Sequence, residues 1–257
     1  MKLIINADDF GYSRGHNYGI LDCMLNGSVS ATTLLMTTPG TEHALQLIKE
    51  NPSLDIGIHL SLDIGRPLLD SKDVSTLIDA DGNFKTYDFF QKKLNVDQKE
   101  IYQEWKAQID YAIENGVDPS HIDSHHHIHM KEDVLDIYLK LAKEYQLAIR
   151  FNAEYLNEET LKIFRPKIKG IPAADYFSND FYQEGVSYDF FKDISKQEAE
   201  VAEVMCHPAY LDHQIIKNSS YVEERVLEQE ILSSPKTKEL IEELGMELIS
   251  FKDLPVQ

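Results

Sequence analysis

This chain predicts an α/β fold with parallel strands, a barrel in preference to an open sheet although periodicity does not fix its closure, and three observations carry the prediction. Short apolar runs alternate with helical patterns along all 257 residues, with no linker and no low-complexity tract. Seven or eight such strand–helix units fall in the one chain, which favours a barrel over an open sheet. Reactive side chains recur where the apolar runs end, and the carboxyl ends of strands are where sites lie in parallel α/β folds. A chain of this length is also an ordinary size for a one-domain barrel, so residues 1–257 are expected to form a single domain.

Taken in order, Leu3 to Ala7 reads as a buried first strand that ends at Asp8-Asp9-Phe10-Gly11. Ser13 is placed to cap a helix to about Asn26, with Ile20, Leu21, Met24 and Leu25 on one face and Gly27 as its stop. Ala31–Thr38 and Asp55–Leu62 are the next two strands, separated by a helix from Thr41. Residues 63–96 are irregular and aromatic (Phe84, Tyr87, Phe89, Phe90), the pattern of a loop insertion that could cover a site. Asp97 and Glu100 have capping-box spacing for a helix whose Ile101, Trp105, Ile109 and Ile113 recur every four residues up to Gly116. A fourth strand runs into His125-His126-His127, a helix follows over 131–145, and Leu147–Phe151 is a fifth strand. Residues 152–196 are poorly periodic; Ile168–Ala173 is the candidate sixth strand, 188–194 a helix, and 173–200 a second insertion. Glu200–Cys206 delivers His207-Pro208. Helices at 222–232 and 236–244 follow, the latter with Ser234 as cap and Pro235 at its first position, and Met246–Ser250 is the last strand.

Composition narrows the function. A formal net charge of −19 argues against nucleic acid or an anionic membrane as partner. Two cysteines, Cys23 and Cys206, make no disulfide framework and suit a reducing cytoplasm. The stretch before Asp8 is too short for a secretory signal, and no run approaches the roughly 18 apolar residues of a membrane span. A cytoplasmic globular protein is expected.

The strand ends carry Asp8 and Asp9, His59, His125, Arg150 and His207. Each has a plain alternative: Asp-Asp as a helix cap, His59 as a core histidine, Arg150 as a surface ion-pair partner, His207 as a backbone hydrogen-bonder. Their shared placement at one end of one sheet favours a site. One Asp with two His is a ligand set for a hydrolytic divalent metal that leaves positions open for water and substrate. Two imidazoles suit zinc, cobalt or nickel better than magnesium. Adjacent aspartates leave a strand end in different directions, so one can grip a metal while the other moves a proton; the residues alone do not rank them. Strand alternation keeps His125, His126 and His127 from all reaching one ion, which makes His125 the ligand and His127 the second choice. Cys206 beside His207 is no nucleophilic pair, because strand neighbours point apart, and there is neither a Gly-x-Ser-x-Gly elbow nor a Gly-rich phosphate loop.

Four segments together resemble the YdjC-like carbohydrate deacetylases: Asn6-Ala7-Asp8-Asp9-Phe10-Gly11, Gly57-Ile58-His59, His121-Ile122-Asp123-Ser124-His125-His126-His127 and Met205-Cys206-His207-Pro208. The resemblance implies a TIM-like barrel related to polysaccharide deacetylases, a divalent cation usually taken as Mg2+, and often a homodimer. It implies removal of an N-acetyl group from a short sugar such as diacetylchitobiose or its phosphate. It also implies Asp9, His59 and His125 as metal ligands, Asp8 as general base, His207 as general acid and Arg150 as the buttress of the base. The insertions at 63–96 and 173–200 match the family poorly and would shape the sugar pocket. A catalytically silent sugar-binding homologue and a metal-dependent phosphoesterase are the competing readings; against the second, no second metal site and no basic phosphate clamp are evident in the sequence.

Overall fold

A computed structural model describes residues 1–92 and 95–255. Its first strand, β1 (Lys2–Phe10), holds Leu3, Ile4 and Ile5 with no exposed surface, and burying each contributes about 1.5–3 kcal/mol. β1 continues past the expected end at Ala7, so Asp8 and Asp9 lie within the strand. The chain then runs through α1 (Arg14–Leu25), β2 (Ala31–Leu34), α2 (Thr41–Glu50), β3 (Ile56–Leu60), α3 (Tyr87–Phe90), α4 (Gln98–Glu114), β4 (His121–Ser124), α5 (Glu132–Tyr145) and β5 (Ala148–Ile149). After these come α6 (Glu158–Ile168), β6 (Tyr176–Ser178), α7 (Asp189–Ile194), β7 (Val201–Cys206), α8 (His213–Asn218), α9 (Glu223–Ser233), α10 (Pro235–Glu243) and β8 (Glu247–Leu248).

The expected caps are in place: Ser13 accepts from the His16 backbone N–H, Asp97 from that of Lys99 and Ser234 from that of Lys236. The sixth strand is not at Ile168–Ala173. Glu158–Ile168 is helical, with Pro166 tolerated in its last turn, and Gly170 at φ +85° ends it. Pro166 and the following Gly are what break the apparent helical period of that segment. The strand itself comes later, at Tyr176–Ser178, and α8 went unexpected between Pro208 and the α9 helix.

All strand pairs are parallel, in the order β5-β4-β3-β2-β1-β7-β6, and the sheet curls into a half-barrel. A single parallel bridge, Ile149 to Ala173, reaches from the β5 edge to the segment leading into β6. β8 pairs with Lys2 and Leu3 on the edge of β1 that β2 takes from Asn6 onward. β1 is therefore the hub of the sheet. Its pairing with β2 slips by one residue between Ala7 and Phe10, a bulge that contains Asp8 and Asp9. Among the described residues, no helix is long and apolar enough to cross a membrane.

One close approach ties β3 to the site. A Cβ on Gly57 would lie 2.5 Å from the His121 ring. That ring stacks on Phe251 at 3.5 Å and bonds Asn6 Oδ1 through Nε2 at 3.1 Å, while Asn6 Nδ2 donates to Asp8 Oδ1 at 2.9 Å. Pinned on both sides, the ring cannot move aside. Gly57→Ala is expected to lower stability by about 1–3 kcal/mol, as overpacked cores do; a urea midpoint that gives less than about 0.5 kcal/mol would mean that the ring can shift.

Candidate metal and catalytic site

The bulge decides where the two aspartates point. Asp9 sits at φ +69°, a left-handed conformation that costs a non-glycine residue of order 1–3 kcal/mol and concentrates at functional positions. Asp8 and Asp9 do not diverge as neighbours on a regular strand would; both line one cleft of about 510 Å3. They face different partners within it. Arg150, carried just past β5, forks onto Asp8: Nη1 donates to Oδ2 and Nη2 to Oδ1, each at 2.7 Å. The same guanidinium meets Asp123 through Nη1 at 2.8 Å and Glu203 through Nε at 2.6 Å. Arg150 is 1 % exposed, so it is the buried counter-ion of three carboxylates rather than a surface residue. Burial pushes the Asp8 carboxyl up, but the Arg150 charge, with help from His59, outweighs it and holds the group well below the usual carboxylate range. Glu203, the third carboxylate on that one cation, is pushed up to about 7 by burial and by the charges of Asp123 and Asp8.

Asp9 has the opposite character. Its Oδ1 is buried without a hydrogen-bond partner and lies 3.5 Å from His59 Nε2 and 3.9 Å from His125 Nε2. Two atoms each about 2.1 Å from one ion can be no more than about 4.2 Å apart, so both spacings fit a shared cation. The far sides of both imidazoles are fixed by carboxylates. His59 Nδ1 meets Asp123 Oδ1 at 2.6 Å and His125 Nδ1 meets Asp63 Oδ1 at 2.8 Å. An ionised carboxylate only accepts, so each Nδ1 donates and a neutral ring leaves its Nε2 lone pair facing Asp9. An orphaned carboxylate oxygen facing two such nitrogens fits a divalent metal held by Asp9, His59 and His125. In the bare site, burial pulls His59 down, but Asp123, Asp8 and Asp9 drive it up to about 9, the response of a ring that stands where positive charge is wanted.

Two groupings bring three donor atoms within 4.8 Å of one another: Asp8 with His59 and Asp123, and Asp63 with His125 and His126. Asp63 already bonds both of its imidazoles, Asp123 bonds His59, and Asp8 is held by Arg150 and Asn6. Arg150 lies between Asp8 and Asp123, where a second cation would meet its full charge. Both groupings instead fix the far sides of His59 and His125.

β4 stops at Ser124, which corrects the expectation that strand alternation sets the histidine cluster. His126 and His127 take left-handed backbone at φ +50° and +53°. The turn lays the His125 and His126 rings side by side at 3.9 Å, both on Asp63, and sends His127 toward Tyr155 and Phe177.

His207 leaves the end of β7 into the same cleft. Its backbone is held by one helix: Glu228 of α9 accepts its N–H, and Arg225, one turn earlier, bonds its carbonyl at 3.4 Å. Arg225 also donates to His16 Nε2 at 2.7 Å and faces Asp9 Oδ2 at 3.5 Å. The His207 ring has no carboxylate partner, and its Nδ1 is unsatisfied. Burial, then the Arg225 charge, lowers it to about 4, so it is neutral before substrate arrives. Asp63, Asp123, Glu203, Arg225 and Glu228 were not singled out in the sequence. Asp123 had a legible signal, two residues before His125 in the same motif; the others carry no local pattern that marks them.

The YdjC-like protein family model matches residues 2–243. The chain belongs to the YdjC-like family. It is 39 % identical over 259 residues to a carbohydrate deacetylase of Clostridium beijerinckii, covering 99 % of this chain and 100 % of that one. It is 40 % identical over 245 residues to a carbohydrate deacetylase of Halalkalibacterium halodurans, covering 93 % and 98 %. Among solved structures it is similar to a protein of Enterococcus faecalis assigned to cellobiose-phosphate cleavage, at TM-score 0.88 and 35 % identity over 98 % of this chain and 97 % of that one. A lactam utilization protein of Thermus thermophilus, at TM-score 0.56 and 14 % identity, shares the fold.

In this YdjC-like chain the carboxylate–imidazole pairs make a test of the metal site. His59→Ala should lose bound metal outright. Asp123→Asn and Asp63→Asn should each weaken it about 10–100-fold, the usual effect of removing such a support. Metal content after dialysis against graded chelator reads both effects. Unchanged retention in His59→Ala would return His59 to the role of a core histidine.

Proposed function

We propose that the protein is a metal-dependent carbohydrate deacetylase that hydrolyses the N-acetyl group of a short sugar, a chitooligosaccharide such as diacetylchitobiose or its phosphate, and releases acetate. The observation that carries the reading is the unpartnered Asp9 Oδ1 facing two imidazole Nε2 atoms, beside an Asp8 already taken by Arg150, in a chain similar over its whole length to carbohydrate deacetylases.

Asp9, His59 and His125 would hold the cation, which when bound supplies a Lewis acid for the acetyl carbonyl and lowers the pKa of water. Zinc, cobalt or nickel fits two imidazoles and one carboxylate better than the Mg2+ that the family resemblance implies. Asp8 then acts as base toward the attacking water. Its fork with Arg150 keeps it ionised and aimed, and so weak a base suffices only for a water that has been acidified. Arg150 stays a positioning residue, since its donors are spent on Asp8, Asp123 and Glu203. His207 gives a proton to the departing amine. Being neutral at the start, it must be recharged during the reaction by the proton that Asp8 takes from the water, which couples the two transfers in time. The cleft wall of Tyr12, Tyr87, Tyr182 and Tyr221 offers rings for a sugar face.

The assignment separates three variants. Asp8→Asn should keep its metal and lose about 10²–10⁴-fold in activity, the range for removal of a general base. Asp9→Asn should lose metal as well. His207→Ala should keep the metal and lose a similar factor, mostly in kcat, because protonating an amine leaving group is a transition-state event. Acetate release from diacetylchitobiose, with elemental analysis of each protein, reads all three; an Asp8→Asn protein that comes out empty would reverse the two aspartates.

The pH profile supplies a separate check. His207 is lowered to about 4, so an acid that had to be charged from the outset would lose rate tenfold per unit above that value. Uptake of the proton during the reaction predicts no such fall, and kcat/KM should show no His207-dependent slope between about pH 6 and 8. A steady tenfold fall per unit across that range, absent in His207→Ala, would overturn the neutral starting state.

A further inference from the structure

Helix α4 carries two neighbouring rows of side chains, each at the four-residue spacing that puts them on one face. Ile101, Trp105 and Ile109 form the apolar row and are fully buried in the core. Glu100, Glu104 and Gln108 form the row beside it, and each grips the backbone of the irregular segment that follows β3. Glu100 accepts from the Thr76 N–H at 2.8 Å, and Glu104 from those of Leu68 and Leu69 at 3.0 and 3.1 Å. Gln108 takes both backbone groups of Ser61: its Oε1 accepts from the N–H and its Nε2 donates to the carbonyl, each at 2.9 Å. Its Nε2 also donates to Glu104 Oε1 at 2.9 Å, which ties the two side chains together. Glu104 and Gln108 have no exposed surface, and buried polar groups are costly unless bonded. Here the bonds run to one stretch of chain and to each other.

That stretch carries Asp63. Its side chain has no exposed surface, and its carboxylate accepts from His125 Nδ1 at 2.8 Å and from His126 Nδ1 at 2.6 Å. Gln108 fixes the chain two residues before it. Thr37, just past β2, fixes the chain one residue after it, because its hydroxyl donates to the Ile64 carbonyl at 3.0 Å. The same hydroxyl pairs with that of Ser61 at 2.7 Å, and the Thr37 carbonyl accepts from the Arg66 N–H at 3.2 Å. Asp63 is thus clamped on both sides by two other parts of the chain. His59 has a separate support: Asp123 bonds His59, Thr33 and Arg150, none of which belongs to the clamp.

We infer that Gln108, Thr37 and Glu104 are positioning residues of the metal site: by clamping the chain around Asp63 they hold its carboxylate on His125 Nδ1 and so keep His125 Nε2 turned to Asp9. The inference rests on the reading that Asp9, His59 and His125 bind a cation. It carries the influence of α4 to that cation through two intermediaries, Asp63 and His125, and leaves the His59 side alone.

Zinc dissociation constants from chelator competition test this on the full chain, in Gln108→Leu, in Thr37→Val and in each combined with Asp63→Asn or Asp123→Asn. Gln108→Leu should weaken zinc about tenfold, the scale of losing a support behind a ligand. Thr37→Val, which trades a hydroxyl for a methyl group, should act in the same direction. With Asp63→Asn already present, neither should weaken zinc further, because the carboxylate through which they act is gone. With Asp123→Asn present, the losses should multiply, because that carboxylate supports the other imidazole. Equal further losses in both backgrounds would mean a general loosening of the fold and would overturn the inference. Unchanged zinc affinity in every folded single variant would overturn it as well. If circular dichroism shows that Gln108→Leu does not fold, Thr37→Val carries the same comparison. If the parent binds no zinc, the metal reading fails by itself and NMR of the metal-free chain decides the clamp. The His125 Nδ1 proton should then give a slowly exchanging signal in the parent that is lost in Asp63→Asn and in Thr37→Val. No such signal in the parent, or one that survives in Thr37→Val, would overturn it.

Discussion

One extra residue in β1 sets the chemistry of this molecule. A regular strand would send Asp8 and Asp9 to opposite faces, one toward the cleft and one away from it. The bulge between Ala7 and Phe10, with Asp9 turned to positive φ, brings both carboxylates to one cleft while their side chains face different partners. The chain is anchored on either side of that distortion, since β1 pairs with β7 along six positions up to Ala7 and with β2 at Asn6, Ala7 and Phe10. The central strand can carry such a distortion because nothing else in the fold is so thoroughly paired.

Around that bulge the charges are arranged so that nearly every ionised group has its opposite. Asp8, Asp123 and Glu203 share one guanidinium, and the excess negative charge falls on Glu203, which burial already pushes toward its neutral form. Asp123 and Asp63 each orient one histidine. Asp9 Oδ1, like Glu203 Oε2, keeps no hydrogen-bond partner, but it faces two imidazole nitrogens. Leaving a buried carboxylate oxygen unpaired is costly, and the surrounding nitrogens show what offsets it. The two aspartates are thus told apart by their partners and not by their order in the chain.

α9 provides the third wall in a different way. It contributes no ring or carboxylate to the Asp9–His59–His125 cluster, yet Arg225 and Glu228, one turn apart, grip the backbone of His207 on both sides. Arg225 also reaches Asp9 and His16. His207 is therefore placed by its main chain, while burial and the Arg225 charge keep its ring neutral.

Much of this was legible in the residues themselves. Strand–helix alternation, the caps at Ser13, Asp97 and Ser234, and the placement of Asp8, Asp9, His59, His125 and His207 at strand ends all follow from local patterns, because period, caps and chain breaks are written within a few residues of where they act. Where a local pattern was broken, the reading slipped: Pro166 and Gly170 disguised α6 and displaced β6, and the left-handed turn at His126 and His127 replaced strand alternation. Arg150 read equally well as a surface residue, because its burial among Asp8, Asp123 and Glu203 joins β1, β4, β5 and β7, up to 142 residues apart in sequence. Asp63, Arg225 and Glu228 carry no mark of their own for the same reason. A side chain's type and its place on a strand are local properties, but its charge state, its partner and the atom it leaves free depend on neighbours that only the folded chain brings within hydrogen-bonding distance.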